Sequence, residues 1–334
     1  MTPHPQAARQ EARRSEAAGG ISSGQGHRPR GRVRTAARQG RHRGRRAGPG
    51  IMVRLIWACL LGVLSATALA QDDWLRDSWR EVIAASAFQE PLAVASEERP
   101  HSVSGSVHAR LDHPFGELAE ALGSPAAWCQ VFFLHLNVKG CFQDPAGDEA
   151  ALTLYVGRRH YEPLADAERL DLRWRMIAAG PTYLEMVLEG DRGPYGTRAF
   201  RLQLRAVPDL DGQSLVQLRY SLVYGMTARL ALRGYFAFGG RDRVGFSEAP
   251  DEDSAGLVGG MRGMIERNVM RFYLALVAHL EARALPEAER LEASLSRWFD
   301  LTERYPEQLR EIERGAYLEM KRRELARQRQ GEGG

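Results

Sequence analysis

The stretch from Val258 to Ala282 limits the fold of this chain more than any other. Read as a helix of about seven turns, it puts Met261, Met264, Ile265, Asn268, Phe272, Ala275, Leu276 and His279 on one face. Val269, Tyr273, Val277 and Leu280 form a second apolar arc beside that face. A narrow arc with Arg267 and Arg271 reads as solvated, or as paired with Glu266 or with the helices that follow. A helix apolar over most of its circumference must be covered from two sides. Arg262, Glu266, Arg267 and Arg271 interrupt it. It is therefore not a membrane span, which needs about twenty mostly uncharged residues.

The N-terminal region needs a separate account. Twelve Arg and two Glu give the first fifty residues a net charge of +10, so against +4 for the whole chain the remainder carries −6. The basic character belongs to this leader, and the rest of the chain has no basic surplus to suggest a nucleic-acid partner. The leader, 1–51, has almost no large apolar residues and is expected to be disordered. Translation is expected to start at Met52. From there Arg54 supplies a positive end, Leu55 to Leu64 an apolar run too short to span a membrane, and Ala68-Leu69-Ala70 the small residues of a cleavage site before Gln71. That order is the pattern of a secretory signal peptide over 52–70, so a periplasmic or secreted location is expected. Cys59 lies within the apolar run, which leaves Cys129 and Cys141. An oxidising compartment permits a disulfide between them; two buried free thiols are the alternative.

The mature chain of roughly 260 residues suits one large domain with added helices. Residues 71–100 read as a short amphipathic helix with Trp74, Trp79, Val82, Ile83 and Ala87, followed by a polar linker from Glu90 to Pro100. Ser102 to Asp112 alternates apolar and polar residues as a half-buried strand does. Asp112-His113-Pro114 then starts a helix with Phe115, Leu118, Ala119 and Leu122 inward, and a second short helix follows around Trp128, Phe132 and Leu136. Five more alternating runs are centred on Leu154, Trp174, Met186, Leu202 and Tyr220, several of them separated by turn residues such as Asp191-Arg192-Gly193-Pro194. Clean alternation predicts a twisted antiparallel sheet of about six strands with one wet face. Its apolar face needs a cover, and the helix at Val258 is the natural one. Met226 to Gly240 reads as a further helix, Ser247 to Ala255 as an acidic loop, and 285–334 as a helical extension with Leu295, Trp298, Ile312 and Met320 inward.

Strand, two short helices, a run of antiparallel strands and one long C-terminal helix is the helix-grip order. The chain from about Ser102 to Ala284, a domain over 101–284, resembles the START-like (SRPBCC) superfamily of lipid-transfer domains, polyketide cyclases and aromatase-like proteins. The stretch His113 to Cys129 is similar to that superfamily's opening, with Pro114, the helix positions Phe115, Leu118 and Leu122, then Ser124-Pro125 and Trp128. The resemblance implies an α+β fold in which the sheet wraps the long helix, with extra helices at both ends. It implies no catalytic residue, because the superfamily shares none across its branches.

Outside the basic leader no HExxH, paired CxxC, GxSxG or P-loop occurs. Gly259-Gly260-Met261-Arg262-Gly263 reads as a tight helix start, and His113, His135 and His160 as surface or capping residues. Asn268 between Met264 and Phe272, with Tyr220 and Tyr224 on the sheet's apolar side, is a polar patch that needs internal hydrogen bonds or a ligand. The expected ligand-lining set is Met264, Asn268, Phe272, Tyr220, Tyr224 and Trp174. The expected ligand is a lipid, isoprenoid or other hydrophobic small molecule, with no cofactor, no metal and at most peripheral membrane contact. An enzyme of the cyclase or dehydratase type, and an envelope interaction protein with a filled core, are the alternatives.

Overall fold

The computed structural model describes residues 73–144, 151–158, 160–225, 243–249 and 256–330. The basic leader, the signal-type stretch, the helix expected over Met226–Gly240 and most of the acidic loop lie outside them. Among the described residues no helix is long and apolar enough to cross a membrane.

Helix α1 spans 73–84. Strands β1 (Leu92–Arg99) and β2 (Ser102–Leu111) follow, then helices α2 (Phe115–Leu122) and α3 (Pro125–Leu134). Next come β3 (Val138–Asp144), β4 (Ala151–Val156), β5 (Glu168–Ala179), β6 (Leu184–Arg192), β7 (Thr197–Pro208) and β8 (Ser214–Tyr224). The long helix α4 (Gly260–Ala282) is followed by α5 (Glu287–Thr302), the single turn α6 (Pro306–Leu309) and α7 (Arg314–Arg329). The strands form one sheet in the order β1-β2-β8-β7-β6-β5-β4-β3, and every neighbouring pair is antiparallel.

The sheet has eight strands, not about six. The two extra strands are its edges. β1 lies where a polar linker was expected. It begins with Leu92 and Val94 and ends in Glu97-Glu98-Arg99, so its apolar alternation stops halfway, as edge strands often require. β3 follows the second short helix, in a stretch where no strand was expected. Its signal is broken by Lys139 and Gly140, at a register shift between Val138 and Gly140.

Helix α4 rests on the concave face over β1, β2 and β8. Gly105 of β2 makes the close approach possible. A Cβ at that position would lie 3.2 Å from both the Ile265 carbonyl oxygen and Val269 Cγ1. Arg267 and Arg271, offered a solvated arc by the pattern, are buried instead. The other alternative holds for Arg271. The segment 243–249 and the last helices cover that arc and supply partners. Arg267 Nη1 donates to the carbonyls of Arg243 and Val244, each at 2.9 Å, and Arg271 Nη2 donates to Glu311 Oε1 at 2.5 Å. Glu266 is fully buried yet well satisfied, because Ser96 Oγ, Ser247 Oγ and the N–H groups of Phe246 and Ser247 all donate to it. A buried carboxylate with four donors is a clamp, here joining β1, the segment before α4 and α4 itself.

The convex face is not wet throughout. Leu75, Trp79 and Ile83 of α1 pack on Val207 and Leu215, which point outward from β7 and β8. Asp209, in the turn between those strands, accepts from Arg80 of α1 and from Arg110 Nε of β2 at 2.9 Å. Burial alone would raise the Asp209 carboxyl, but the two guanidiniums and a backbone N–H hold it below its usual range.

Helices α5 to α7 close the far end. Trp298 stacks on Tyr317 with ring centroids 5.0 Å apart, and Tyr317 donates to the Leu134 carbonyl at 2.7 Å. Glu324 of α7 lies between Lys139 and Lys321, with nitrogen–oxygen distances of 3.1 and 2.9 Å. Gln328 pairs with the Cys141 backbone in both directions and so caps the outer edge of β3. Cys129 of α3 and Cys141 of β3 stand at disulfide distance, their Cα atoms 5.5 Å apart.

Candidate functional site

The interior between the concave sheet and α4 divides into two parts. On the β1-β2-β8 side, Gly105 lets the helix backbone touch the sheet and no space remains. On the other side the wall is built by inward residues of β5 to β7, and helices α3 and α4 face it. Phe272 of α4 is the hub. Its ring centroid lies 5.6 Å from Tyr220 of β8, 5.5 Å from Phe132 of α3 and 5.0 Å from His135, the residue that caps α3. Tyr220 in turn lies 5.0 Å from Phe200 of β7. The first two rings meet Phe272 edge to face, the arrangement aromatic pairs prefer.

The structure gathers part of the expected lining set. Met264, Asn268 and Phe272 follow one another at helical spacing along α4, and Tyr220 meets Phe272. Trp174 lies on the same apolar side but further across the sheet, opposite Leu188 of β6. Its indole N–H is buried without a hydrogen-bond partner. Tyr224 does not join the group. It sits at the end of β8, where its hydroxyl meets Glu98 Oε1 and the Arg99 carbonyl, both at 3.2 Å, and so pins the β1–β2 turn. Alternation put Tyr224 on the right face but says nothing of position along the strand.

Although they face the interior, Trp174 and Met176 on the sheet and Met264 and Asn268 on the helix are only half-buried. Their neighbours in the same rows, Leu170, Leu172, Ile265 and Val269, are sealed. The inner face is therefore sealed beside one stretch and only half-covered along it.

Polar side chains flank that stretch. His135 is buried, and its ring Nδ1 accepts the Asn137 N–H at 3.2 Å. Burial, then the nearby Arg271 and Lys321 charges, hold its pKa far below the usual histidine value, with the Asn268 amide opposing in part. The ring is neutral, and with Nδ1 acting as acceptor its proton sits on Nε2. Arg271 is paired with Glu311, which also takes Arg243 Nη1 at 2.9 Å. Burial would raise the Glu311 carboxyl, but these guanidiniums together hold it below its usual range. Three ring or guanidinium nitrogens around this corner, His135 Nε2, His160 Nδ1 and Arg271 Nε, are buried and have no hydrogen-bond partner.

Sequence reasoning grouped His135 and His160 with His113 as surface or capping residues. His135 does cap α3, but its ring is in the core; Phe132, Phe133 and Leu134 just before it were the available sign. His160 feels the charges of Glu311, Lys139, Arg243 and Arg271, whereas His113 lies apart and its carbonyl accepts from Ser214. Among the described residues no group of three or more His, Cys, Asp or Glu side chains is placed to hold a metal ion. A separate surface groove of about 410 Å³ lies beside Cys129 and Cys141, bounded by Phe133, Phe142, Leu291 and Leu325, and includes none of the expected lining residues.

No family model matches the sequence, and no curated protein matches it either. Solved structures do resemble the fold. The Zhui aromatase/cyclase of Streptomyces sp. R1128 is 13% identical, with a TM-score of 0.33 over 58% of this chain and 96% of that one. A START superfamily protein of Mycobacterium smegmatis is 16% identical, with a TM-score of 0.27 over 40% of this chain and 88% of that one. Norcoclaurine synthase of Thalictrum flavum, in complex with dopamine and hydroxybenzaldehyde, is 8% identical, with a TM-score of 0.29 over 43% of this chain and 76% of that one. Likenesses of this extent carry no argument about activity. The single antiparallel sheet and the long helix across its concave face are the helix-grip arrangement.

Proposed function

We propose that this chain binds a hydrophobic small molecule, of lipid or isoprenoid type, between the concave sheet and α4, and that it does so after export. One observation carries the reading: Trp174, Met176, Met264 and Asn268 face the interior and are not sealed. An apolar surface with a few aimed polar groups is what small-molecule sites are made of. Export is supported by the signal-type stretch after Met52 and by Cys129 and Cys141 standing at disulfide distance.

The catalytic alternative is less well supported. A general base needs a pKa near the working pH, and the His135 imidazole is held far below that. It can donate through Nε2 but is a poor proton acceptor at neutral pH. The filled-core alternative is supported by the sealed residues of β4 and β5 and less well by the half-buried Trp174, Met176, Met264 and Asn268.

The test is uptake of an uncharged apolar dye, N-phenylnaphthylamine, followed by its fluorescence. Wild type should bind it. Met264→Trp, which fills the open stretch, should lose most of that binding while keeping a cooperative unfolding transition. A wild-type protein that does not bind the dye, or a Met264→Trp variant that binds it unchanged, contradicts the reading.

A further inference from the structure

We propose that the ligand's polar end is a carboxylate, held where α4 passes α3 by Arg271 Nε and His135 Nε2. The inference deepens the apolar-ligand reading and rests on it. Arg271 is 3% exposed and His135 4%, and neither atom has a partner at hydrogen-bond distance and angle, although the Asn268 amide acts on the imidazole. Leaving a buried donor unpaired costs about 1–3 kcal/mol, so two together call for an acceptor.

Both are donors. One end of the Arg271 guanidinium is committed, since Nη2 donates to Glu311 Oε1 at 2.5 Å and to the Leu309 carbonyl at 3.3 Å. That anchoring fixes the group and leaves Nε–H unused. The neutral His135 ring has its Nδ1 committed to the Asn137 N–H, which puts the proton on Nε2. Both belong to one corner. Arg271 immediately precedes Phe272, whose ring lies 5.0 Å from that of His135. Trp298 lies 6.4 Å from the His135 ring and donates its indole N–H to the Arg271 carbonyl at 3.1 Å. The corner therefore borders the aromatic group around Phe272, where an apolar chain would lie.

Charge selects among acceptors. Around His135 the buried cations outnumber the carboxylates: Arg271 is matched by Glu311, but Lys139 and Lys321 share the single carboxylate of Glu324, which leaves one positive charge unbalanced. A monoanion restores neutrality in a buried site, where an unpaired charge is expensive. A carboxylate supplies that single charge and enough lone pairs for both donors. A neutral alcohol or ester satisfies the hydrogen bonds and leaves the charge.

The experiment compares palmitate with methyl palmitate, which share a chain and differ in the head, by competition against the apolar dye. Wild type should prefer palmitate by about tenfold or more, the worth of a charge-assisted hydrogen bond. His135→Phe keeps a ring against Phe272 and removes the donor. Arg271→Lys keeps a positive charge and removes Nε. Each should lower the affinity for palmitate more than that for methyl palmitate and so bring the two together. If wild type takes both probes equally, or if the preference survives both substitutions, the head-group assignment is wrong and the apolar reading stands. If neither probe binds, both fail together. The wild-type comparison decides even if a variant does not fold.

Discussion

Gly105 shows how one residue sets the distance between layers. Its missing side chain lets the α4 backbone approach β2 so closely that a Cβ would lie 3.2 Å from a carbonyl oxygen of the helix. Gly105→Val should push α4 outward and destabilise the protein by about 1–3 kcal/mol, as overpacking in a core does. Urea unfolding measures this, and an unchanged midpoint would mean that the contact yields freely. Glu266 acts at the same scale in the opposite sense. It is an ionisable group buried on the helix, and its four donors make it a fixed point rather than a fault.

At the scale of elements, the C-terminal helices belong to the domain's closure. Tyr317, Lys321, Glu324 and Gln328 of α7 all bond to α3, β3 or one another. The Cys129–Cys141 pair ties α3 to β3 beneath them. A bridge closing so short a loop is worth about 3 kcal/mol in the chain-entropy model. Thiol labelling of denatured, unreduced protein from an oxidising compartment should find neither cysteine free, and reduction should lower the unfolding midpoint. Complete labelling of both would contradict the bridge. Most elements were legible in the sequence. Alternation over Leu170–Met176 or Val216–Tyr224 is unbroken because one face of each run meets the core and the other does not. The edge strands were not legible. β1 gives up its alternation at Glu97, and β3 buries a lysine whose partner, Glu324, is almost two hundred residues away in the chain. Helical spacing placed Met264, Asn268 and Phe272 on one face, and strand alternation brought Tyr220 to meet them. It could not show that the row is sealed at Ile265 and open at Asn268, nor that His135 lies against Phe272. Those facts depend on which elements cover which, and a linear pattern does not carry that.

Across the whole molecule, two buried histidines, His135 and His279, and the half-buried His108 make stability depend on pH. Burial, chiefly, lowers His108 and His279 from the ordinary value of 6.5 to about 4, and holds His135 well below 6.5. Between those values the unfolded chain binds more protons than the folded one, so stability rises with pH there and is lost as pH falls from 6.5 toward 4. Asp209 and Glu311, whose pKa values are lowered from 3.8 and 4.5, act mainly at the bottom of that window and below it. Guanidinium unfolding should therefore show a clear loss between about pH 7 and pH 5, where carboxylates contribute little. Replacing His108 and His279 by Gln should flatten the slope. A flat wild-type profile would mean that these rings are hydrated in solution.

We propose that the stretch between β5 and α4 holds an apolar molecule. Native mass spectrometry of the protein purified from the periplasm of an expressing cell, followed by denaturation and lipid extraction, tests it most directly. The account predicts a mass above that of the bare chain, lost on denaturation, with an apolar carboxylate in the extract. A bare mass under native conditions, with an empty extract, would contradict it and leave a helix-grip domain whose core is filled by its own side chains.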